Sequence, residues 1–249
     1  MAKQSTVASN SLPSNTEKPD AVEQPAGPPV PDYLVRTYWW AYLHPRGVRI
    51  FEHQWIVNLI LWGNFSQLRD SALDTLGKRI SGRTLQVACV YGDFTSKLAE
   101  RLSPGARLDV IDVAQIQLEN LGNKIADRKD VFMSRQDASD LSYEKDSFDQ
   151  VVVFFLLHEL PAEFRKRTVQ EVMRVVKPGG KVVFVDYHQP VRYHPHRYIM
   201  RPVLRLLEPY ALDLWNTEIT DWLSRDTPPV RVEKSTFFGG LYQKVVLTC

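Results

Sequence analysis

The sequence predicts an α/β fold with a mostly parallel seven-stranded sheet and helices on both faces of that sheet. From residue 83 onward, apolar runs with strand character alternate with longer runs of helical spacing, a pattern that indicates parallel strands joined by helices. Residues 149–155 are almost continuously apolar, as expected of a central strand buried on both faces. Near the end of the chain, two further apolar runs flank Gly239-Gly240 and predict an antiparallel hairpin.

The predicted elements of the sheet region follow one another in order along the chain. Strands are expected at residues 84–89, 107–112, 131–136, 149–155, 181–187, 231–237 and 242–248. Helices are expected at residues 94–102, 114–126 and 162–176. Pro178-Gly179-Gly180 ends the third of these helices, because proline has no amide hydrogen to donate and glycine favours turns. In an open sheet of this kind, ligands bind beyond the carboxyl ends of the strands.

Differences in composition divide the chain into three regions. Residues 1–30 are rich in Ser, Thr, Asn and Pro and predict a disordered leader, because they can bury too little apolar surface to fold. Residues 31–82 are helical in pattern and unusually aromatic, which indicates either a core-packing helix pair or a lid that contacts an apolar ring. Residues 83–249 form the sheet domain, into which residues 188–229 insert a basic, aromatic helical segment.

Charge, cysteine content and hydropathy exclude several classes of protein. A net charge of +2 gives no basis for nucleic-acid binding. The two cysteines, Cys89 and Cys249, are too few for a disulfide framework, so we expect a reducing, cytoplasmic compartment. The longest apolar run, residues 55–63, is too short to span a bilayer.

A basic helix predicted in the insertion suggests contact with a membrane surface. Arg197, Arg201 and Arg205 recur every four residues and therefore share one helix face, with apolar side chains elsewhere on the helix. Basic amphipathic helices of this kind bind to anionic membrane surfaces. The alternative is an ordinary helix whose charged face is solvated.

The segment after the first strand has the outline of a nucleotide-binding loop that has lost two glycines. Such loops read apolar-apolar-acid-apolar-Gly-x-Gly-x-Gly, where glycine permits a positive φ and a close approach of the cofactor. Here Gln86 takes the acidic position, Ala88 and Val90 take the first two glycine positions, and only Gly92 remains. Because a β-branched residue resists positive φ, Val90 predicts a different turn and an altered cofactor pose.

Acidic residues follow the next two strands, where a nucleoside would bind. Asp112 ends the second strand, in the position where a carboxylate accepts hydrogen bonds from two ribose hydroxyls. Asp137-Ala138 follows the third strand, where a carboxylate can meet an adenine amino group. Together with the loop, these residues predict a site for S-adenosylmethionine (SAM). The residues expected to contact SAM are Tyr38, Ala88, Cys89, Val90, Tyr91, Gly92, Asp112, Val113, Asp137, Ala138 and Phe154.

Four motifs of the sheet domain occur in an order that is found in a known group of enzymes. The motifs are Gln136-Asp137-Ala138, Phe148-Asp149-Gln150-Val151, Leu157-His158-Glu159-Leu160 and Val176-Lys177-Pro178-Gly179-Gly180. In this order they resemble class I SAM-dependent methyltransferases, nearest the ubiquinone and menaquinone branch. Residues 31–34, 37–42 and 85–94 more specifically resemble the RquA family of rhodoquinone biosynthesis proteins. The resemblance implies that residues 83–249 form a Rossmann-like SAM-binding domain.

The resemblance to the rhodoquinone family implies an enzyme that aminates a lipid quinone. In that family, one ring methoxy group of ubiquinone is replaced by an amino group, with SAM as the amino donor and a divalent, manganese-type ion assisting. Because ubiquinone lies in the bilayer, the resemblance also implies a protein at the cytoplasmic surface of the inner membrane. Two alternatives stay open, namely a conventional quinone methyltransferase and a non-catalytic SAM-fold scaffold in quinone metabolism.

Displacing a methoxy group from a quinone ring requires an unprotonated amine and stabilisation of the charge that develops on the carbonyl oxygen. We expect titratable side chains to converge for this purpose at the ends of the fourth and fifth predicted strands. The catalytic candidates are His158, Asp186 and His188, with Glu159 beside them, although His158 could instead have a structural role. Tyr38 and Tyr91 are expected to close over the cofactor or the ring.

Overall fold

A computed structural model describes residues 27–224 and 228–249. The strands are β1 (Arg83–Val87), β2 (Arg107–Asp112), β3 (Val131–Arg135), β4 (Phe148–Phe154), β5 (Val176–Tyr187), β6 (Arg231–Phe237) and β7 (Tyr242–Thr248). Within the described residues they form one seven-stranded sheet in the order β3-β2-β1-β4-β5-β7-β6. β1 to β5 pair in parallel, while β7 pairs antiparallel with both β5 and β6. The predicted fold class, a mostly parallel α/β sheet, is confirmed.

Helices connect the parallel strands and also precede them. A π-helix (Leu34–Leu43) is followed by α1 (Pro45–Phe51), α2 (Gln54–Ile60), α3 (Phe65–Leu76), α4 (Phe94–Glu100), α5 (Gln115–Lys124), α6 (Ala162–Val175) and α7 (His196–Leu207). Short 3-10 helices occur at Leu157–Glu159, Ala211–Trp215, Ile219–Trp222 and Phe238–Gly240. The helices predicted in the sheet domain are therefore present, with every end within two residues of the expected one.

The centre of the core is the pair of strands β4 and β5. Val151, Val152 and Val153 are buried, in agreement with the predicted central strand. At the end of β4, the ring of Phe154 stacks on that of Phe94 with centroids 4.3 Å apart. Burial of apolar side chains on both faces of β4 fixes the strand end from which the next loop enters the site.

Two glycine-containing segments shape the start of β5 and the turn between β6 and β7. β5 begins at Val176, five residues before the expected start, and its pairing with β4 shifts register between Phe148 and Gln150. Gly179, with φ 78°, lies in this irregular stretch and permits the strand to bend. The hairpin predicted between β6 and β7 is confirmed, and Gly239 and Gly240 have φ values of 61° and 86° at its turn.

The helical block of residues 31–82 divides into a buried part and an exposed part. α3 contributes buried side chains to the core, among them Phe65, Leu68 and Leu73. The ammonium group of Lys244 on β7 ties this helix to the sheet by donating to the hydroxyl of Ser71 at 2.8 Å. In contrast, α2 contains no buried residue. The core-packing interpretation therefore fits α3, whereas α2 is available to a ligand or surface.

Part of the sequence-based organisation lies outside the described residues. This is the case for residues 1–26 of the predicted leader and for residues 225–227 of the insertion. The end of the leader contacts the sheet domain, since a guanidinium nitrogen of Arg135 donates to the carbonyl of Pro28 at 2.9 Å. In the part of the chain that the structure describes, no helix combines the length and hydropathy needed to cross a membrane.

Candidate active site

The loop after β1 retains a left-handed residue although its first glycine is replaced. Ala88 has φ 70° and Gly92 has φ 79°, whereas Val90 is not among the residues with positive φ. A non-glycine residue in this region costs on the order of 1 kcal/mol. The side-chain amide of Gln86 supports the turn by donating to the carbonyl of Ala88 at 3.0 Å. Alanine thus accepts the conformation that glycine favours, and the β-branched Val90 avoids it.

The remaining glycine of the loop is needed for close packing. A Cβ atom at Gly92 would lie 3.2 Å from the ring of Phe65, closer than most Cβ contacts in proteins. Gly92 also has a left-handed φ, so a side chain at this position would add backbone strain to the steric contact. Gly92 therefore supports the loop from behind and does not line either of the two cavities described below.

Asp112, at the carboxyl end of β2, is fixed by backbone amides. Its Oδ1 accepts from the N–H of Ala114 and its Oδ2 accepts from the N–H of Cys89, both at 2.8 Å. Burial raises the pKa of Asp112 to about 6, against the effect of these hydrogen bonds. A carboxylate offers about four acceptor positions, so each oxygen can accept a further hydrogen bond from a ligand. Asp112 thus joins the loop after β1 to the start of α5 and lines the first cavity described below.

Asp137 follows β3 in a similarly fixed conformation. Its Oδ1 accepts from the backbone N–H and from the hydroxyl of Ser139, both at 2.8 Å. Asp112 and Asp137 line the same narrow cavity of about 60 Å³, with the small side chain of Ala138 beside them. The predicted cofactor residues in this first cavity are Ala88, Cys89, Asp112, Val113, Asp137 and Ala138.

A second, larger cavity of about 520 Å³ adjoins the first. Its walls are mainly apolar and aromatic, and the predicted residues Val90, Tyr91 and Phe154 line this cavity and not the first. The two cavities share the four residues Tyr42, Cys89, Phe155 and Glu159. Residues from α2 and α7, including Leu59, Ile60, Val203 and Leu207, line the larger cavity and are also exposed at the protein surface.

The π-helix and the loop after β1 are joined by tyrosines. The rings of Tyr42 and Tyr91 stack with centroids 5.7 Å apart and an interplanar angle of 12°. The hydroxyl of Tyr91 donates to the carbonyl of Ala41 at 2.6 Å and accepts from the side-chain amide of Gln117 at 2.7 Å. Tyr91 therefore lies beside the π-helix and lines the larger cavity. Tyr38 is fully buried and lines neither cavity, so the structure places it behind the site.

A buried cluster of titratable groups forms one wall of the larger cavity. The Nδ1 atom of His158 lies 2.9 Å from Oδ1 of Asp186, and Asp186 also accepts from the backbone N–H groups of Leu157 and Tyr187, each at 2.7 Å. The other ring nitrogen of His158 lies 3.7 Å from Oε1 of Glu159. The phenol of Tyr42 donates a short hydrogen bond to the same Glu159 oxygen.

Burial and neighbouring charges shift the pKa values of this cluster. Burial lowers the pKa of His158, but the adjacent Asp186 carboxylate outweighs this effect and raises it to about 9. Burial, together with the charge of Glu208, raises the pKa of Glu159 to about 8. Burial likewise raises the pKa of Glu208 itself. Carboxyl groups with raised pKa values in a cavity are typical of functional sites, although structural networks produce such shifts too.

The three candidate catalytic residues differ in their positions. His158 lines the larger cavity, and the fully buried Asp186 lies behind it. His188 lines neither cavity, because its Nδ1 atom lies 2.8 Å from the carbonyl of Gly240 and its Nε2 atom lies 3.0 Å from the ammonium group of Lys234. The structure thus brings His158 and Asp186 together and places His188 on the hairpin side of β5.

Sequence reasoning missed two functional candidates, Tyr42 and Glu208. Tyr42 lies in the Thr-Tyr-Trp-Trp-Ala-Tyr segment, but its contact with Glu159 spans 117 positions of sequence. Glu208 directly follows α7 and has no distinguishing pattern around it. Only the fold reveals that this carboxyl lies near Glu159. Within residues 27–224 and 228–249, no cluster of three or more His, Cys, Asp or Glu side chains is arranged to hold a metal ion.

Comparison with known families agrees with this fold. Residues 84–180 match the model of a family described as a methyltransferase domain. The chain is also 32% identical over 133 residues to demethylmenaquinone methyltransferase of Staphylococcus aureus. That match covers 53% of this chain and 54% of the relative, so the chain spans about half the length of the curated relatives it matches.

Solved structures support the same fold at low sequence identity. An O-methyltransferase family protein from Burkholderia thailandensis has a TM-score of 0.61 and 13% identity, over 83% of this chain and 61% of that protein. The N-methyltransferase NodS from Bradyrhizobium japonicum has a TM-score of 0.52 and 18% identity, over 74% and 92% of the two chains. The chain therefore has the Rossmann-like fold of class I SAM-dependent methyltransferases.

Proposed function

We propose that the protein is a SAM-dependent enzyme that modifies the ring of a lipid quinone. The observation that carries this proposal is the junction of a narrow polar cavity with a large apolar one, at Tyr42, Cys89, Phe155 and Glu159. A nucleoside cofactor and an apolar ring bound in the two cavities would meet there. The similarity of residues 84–180 to a methyltransferase domain supports SAM as the cofactor.

The donors and acceptors of the first cavity fit the nucleoside of SAM. Asp112 would accept hydrogen bonds from the ribose hydroxyls, and Asp137 would accept from the adenine amino group. Both carboxylates are held in place by protein N–H groups, which supports a preformed site. When bound, SAM supplies the group that is transferred to the ring.

The second cavity fits a ring that carries a long apolar substituent. Its volume of about 520 Å³ lies in the range of small-molecule sites, and apolar residues dominate its walls. The exposed apolar side chains of α2 and α7 continue from this cavity to the surface, where a lipid tail could leave the protein. The relative in Staphylococcus aureus is a demethylmenaquinone methyltransferase, which supports a quinone as the substrate class.

The same surface supports a location at the membrane. α7 exposes Ile199, Val203 and Leu206 together with Arg201 and Arg205. An exposed apolar surface with adjacent arginines fits the interface of an anionic lipid bilayer. The protein would then extract ubiquinone from the cytoplasmic face of the inner membrane.

In the finer form of this proposal, the enzyme aminates ubiquinone to rhodoquinone with SAM as the amino donor. Ala88 and Val90 support it, because they place side chains where the methionine part of SAM usually lies against glycine. If the methionine part of SAM is shifted, its α-amino group could face the ring in place of its methyl group. A divalent ion of the manganese type belongs to this activity, but the described side chains do not by themselves form a site for it.

Methyl transfer to a quinone is the second candidate, favoured by the 32% identity to a quinone methyltransferase. Purified protein incubated with ubiquinone and, separately, with demethylmenaquinone, each with and without Mn²⁺, distinguishes the two, because the fully substituted ubiquinone ring has no free carbon to accept a methyl group. SAM is labelled in one reaction at the methyl carbon and in another at the α-amino nitrogen. Amination predicts nitrogen label in the product, whereas methyl label would contradict it. Absence of any product, with SAM bound, would favour the non-catalytic scaffold.

A further inference from the structure

Glu159 is the carboxyl group at the junction of the two cavities. Among the described residues, it is the only acidic side chain that lines both of them. Only 11% of the side chain is exposed, and this exposure faces the site because the residue lines both cavities. Glu159 therefore lies next to the place where a new bond to the ring would form.

The carboxyl group of Glu159 is oriented by contacts on one of its oxygens. Oε1 accepts the hydrogen bond from the phenol of Tyr42 and lies 3.7 Å from Nε2 of His158. His158 is held in turn by Asp186, at 2.9 Å from its Nδ1 atom. No hydrogen bond to Oε2 of Glu159 occurs within residues 27–224 and 228–249, so this oxygen is available to a ligand.

The groups that face Glu159 favour a carboxyl group that gains and loses a proton near neutral pH. They come from the π-helix, the 3-10 helix, β5 and the end of α7, and they are Tyr42, His158, Asp186 and Glu208. Burial and the charge of Glu208 favour the neutral acid, whereas the charge of His158 favours the carboxylate. The resulting pKa of about 8 is close to the operating pH, as efficient proton transfer requires.

We infer that Glu159 is the general acid and base of the reaction, with His158, Asp186 and Tyr42 as positioning residues. This inference rests on the proposed function and identifies the group that carries the proton. Sequence reasoning assigned that task to His158, Asp186 or His188. Of these three, only His158 lines a cavity, and it lines only the larger one.

Proton transfer by Glu159 balances the substitution step of the proposed amination. As the ring carbon gains its bond to the α-amino nitrogen of SAM and its bond to the methoxy oxygen breaks, neutral Glu159 gives its proton to that oxygen, and methanol leaves. The resulting carboxylate then takes the proton that the nitrogen loses, which restores the neutral acid. The nitrogen is still bonded to the α-carbon of SAM at this stage, so a second step must break that bond: elimination moves a proton from the β-carbon to the nitrogen, releases the aminoquinone and leaves a carbon–carbon double bond in the methionine part. In the alternative methyl transfer to a ring carbon, the carboxylate form would accept the proton that this carbon loses.

The test compares Glu159→Gln with wild-type protein and with Glu163→Gln. Glutamine keeps the shape of the side chain but does not exchange a proton at this pH, and Glu163 is an exposed glutamate at the start of α6. Single-turnover rates are measured with saturating SAM and a short-tailed ubiquinone, and the Kd of each is measured separately. We expect Glu159→Gln to slow turnover about 100-fold or more. We expect both Kd values to stay within about threefold, and Glu163→Gln to resemble wild type.

The pH profile and infrared spectroscopy separate a catalytic role from a structural one. The wild-type rate is expected to fall as the pH rises through about 8, and this decline should be absent in Glu159→Gln. In infrared difference spectra of SAM-bound protein, wild type should show a protonated carboxylic acid at neutral pH that Glu159→Gln lacks. A variant rate within about threefold of wild type, or the absence of this band, would overturn the inference. Failure of wild-type protein to form product would overturn the proposed function instead, while the infrared result still tests Glu159.

Discussion

Lys124 on α5 connects Glu52, at the end of α1, to the loop after β1. Its ammonium nitrogen lies 2.8 Å from Oε1 of Glu52 and 3.0 Å from the carbonyl oxygen of Gly92. The side chain of Asn120 donates to the other oxygen of Glu52. One ion pair thereby fixes the loop after β1 and the helical block that covers it.

Lys124→Met should therefore weaken SAM binding without unfolding the protein. The pair is partly exposed, with side-chain exposures of 20% and 23%, so screening limits its contribution to about 1 kcal/mol. We expect the Kd for SAM to rise about fivefold, measured by isothermal titration calorimetry. Lys97→Met is the matched control, because Lys97 forms an exposed pair with Glu100 on the same helix. An equal rise in the Kd for SAM in both variants would show that the effect does not depend on the contact of Lys124 with the loop.

Asp112→Ala should affect SAM binding more strongly. The substitution removes the proposed ribose acceptor and also the acceptor for the N–H of Cys89, which holds the loop. Hydrogen bonds to charged groups contribute about 1.5–3 kcal/mol each, so the Kd should rise at least tenfold. Asp127→Ala, at an exposed position after α5, should leave it unchanged. A Kd within a few-fold of wild type for Asp112→Ala would contradict the cofactor assignment.

Restoring glycines to the loop should redirect the bound SAM. The double variant Ala88→Gly/Val90→Gly removes both side chains and relieves the strain of Ala88, which has φ 70°. If those side chains shift the methionine end, amine transfer should fall about tenfold or more while SAM still binds. The single variant Val90→Ala serves as the comparison, because it shortens one side chain without adding glycine flexibility. An unchanged rate of nitrogen transfer in the double variant would contradict the proposal that Ala88 and Val90 direct SAM towards amination.

The pair of His158 and Asp186 should make stability depend on pH. The pKa of His158 is raised from 6.5 to about 9 in the folded protein, so its contribution is complete below about pH 6.5 and is lost as the pH rises through about 9. The difference in unfolding free energy between wild type and His158→Asn should accordingly shrink across that range. Urea unfolding at several pH values measures it. A difference that stays constant across that range would contradict the role of the pair.

Arg201→Gln/Arg205→Gln should reduce binding to anionic liposomes. Each arginine near such a surface contributes about 1 kcal/mol, so the pair should change partitioning by about 30-fold at low salt. Arg197 is left intact because its side chain donates to the carbonyl of Pro190 and supports the start of α7. Liposome flotation measures the effect, with Lys145→Gln/Lys166→Gln as an equally charged control at exposed positions away from α7. Unchanged flotation of the first variant would contradict the membrane proposal.

Local sequence patterns predicted the sheet because its strands are apolar runs bounded by turn residues, which can be recognised without knowledge of the tertiary structure. The apolar run that became β4 and the Gly239-Gly240 turn between β6 and β7 need no tertiary information. β5 begins five residues before the expected start because residues 176–180 pair irregularly with β4, and this pairing depends on the neighbouring strand. The π-helix was not foreseen either, since its aromatic residues suit several helical forms.

The residues of the candidate site could be predicted from the sequence only where they directly follow the ends of parallel strands. Asp112 and Asp137 line one cavity because parallel strands align their carboxyl ends. Tyr38 and His188 illustrate the opposite case, because the direction of a side chain depends on the helix or hairpin that packs beside it. Glu208 lines the larger cavity near Glu159 because of the way the insertion folds, and no spacing in the sequence indicates this position.

The π-helix makes the active site sensitive to chain length as well as to residue type. Its wide turns extend from Leu34 to Leu43 and end with the N–H of His44 donating to the carbonyl of Trp39, five residues earlier, at 2.9 Å. Loss of one residue from this segment would favour the narrower α-helix and rotate the residues beyond the deletion by about 100° around the helix axis. Tyr42 would then lose its contacts with both Glu159 and Tyr91. A chain that lacks one residue here would keep every side chain of the sheet domain and still lose the contacts that orient Glu159.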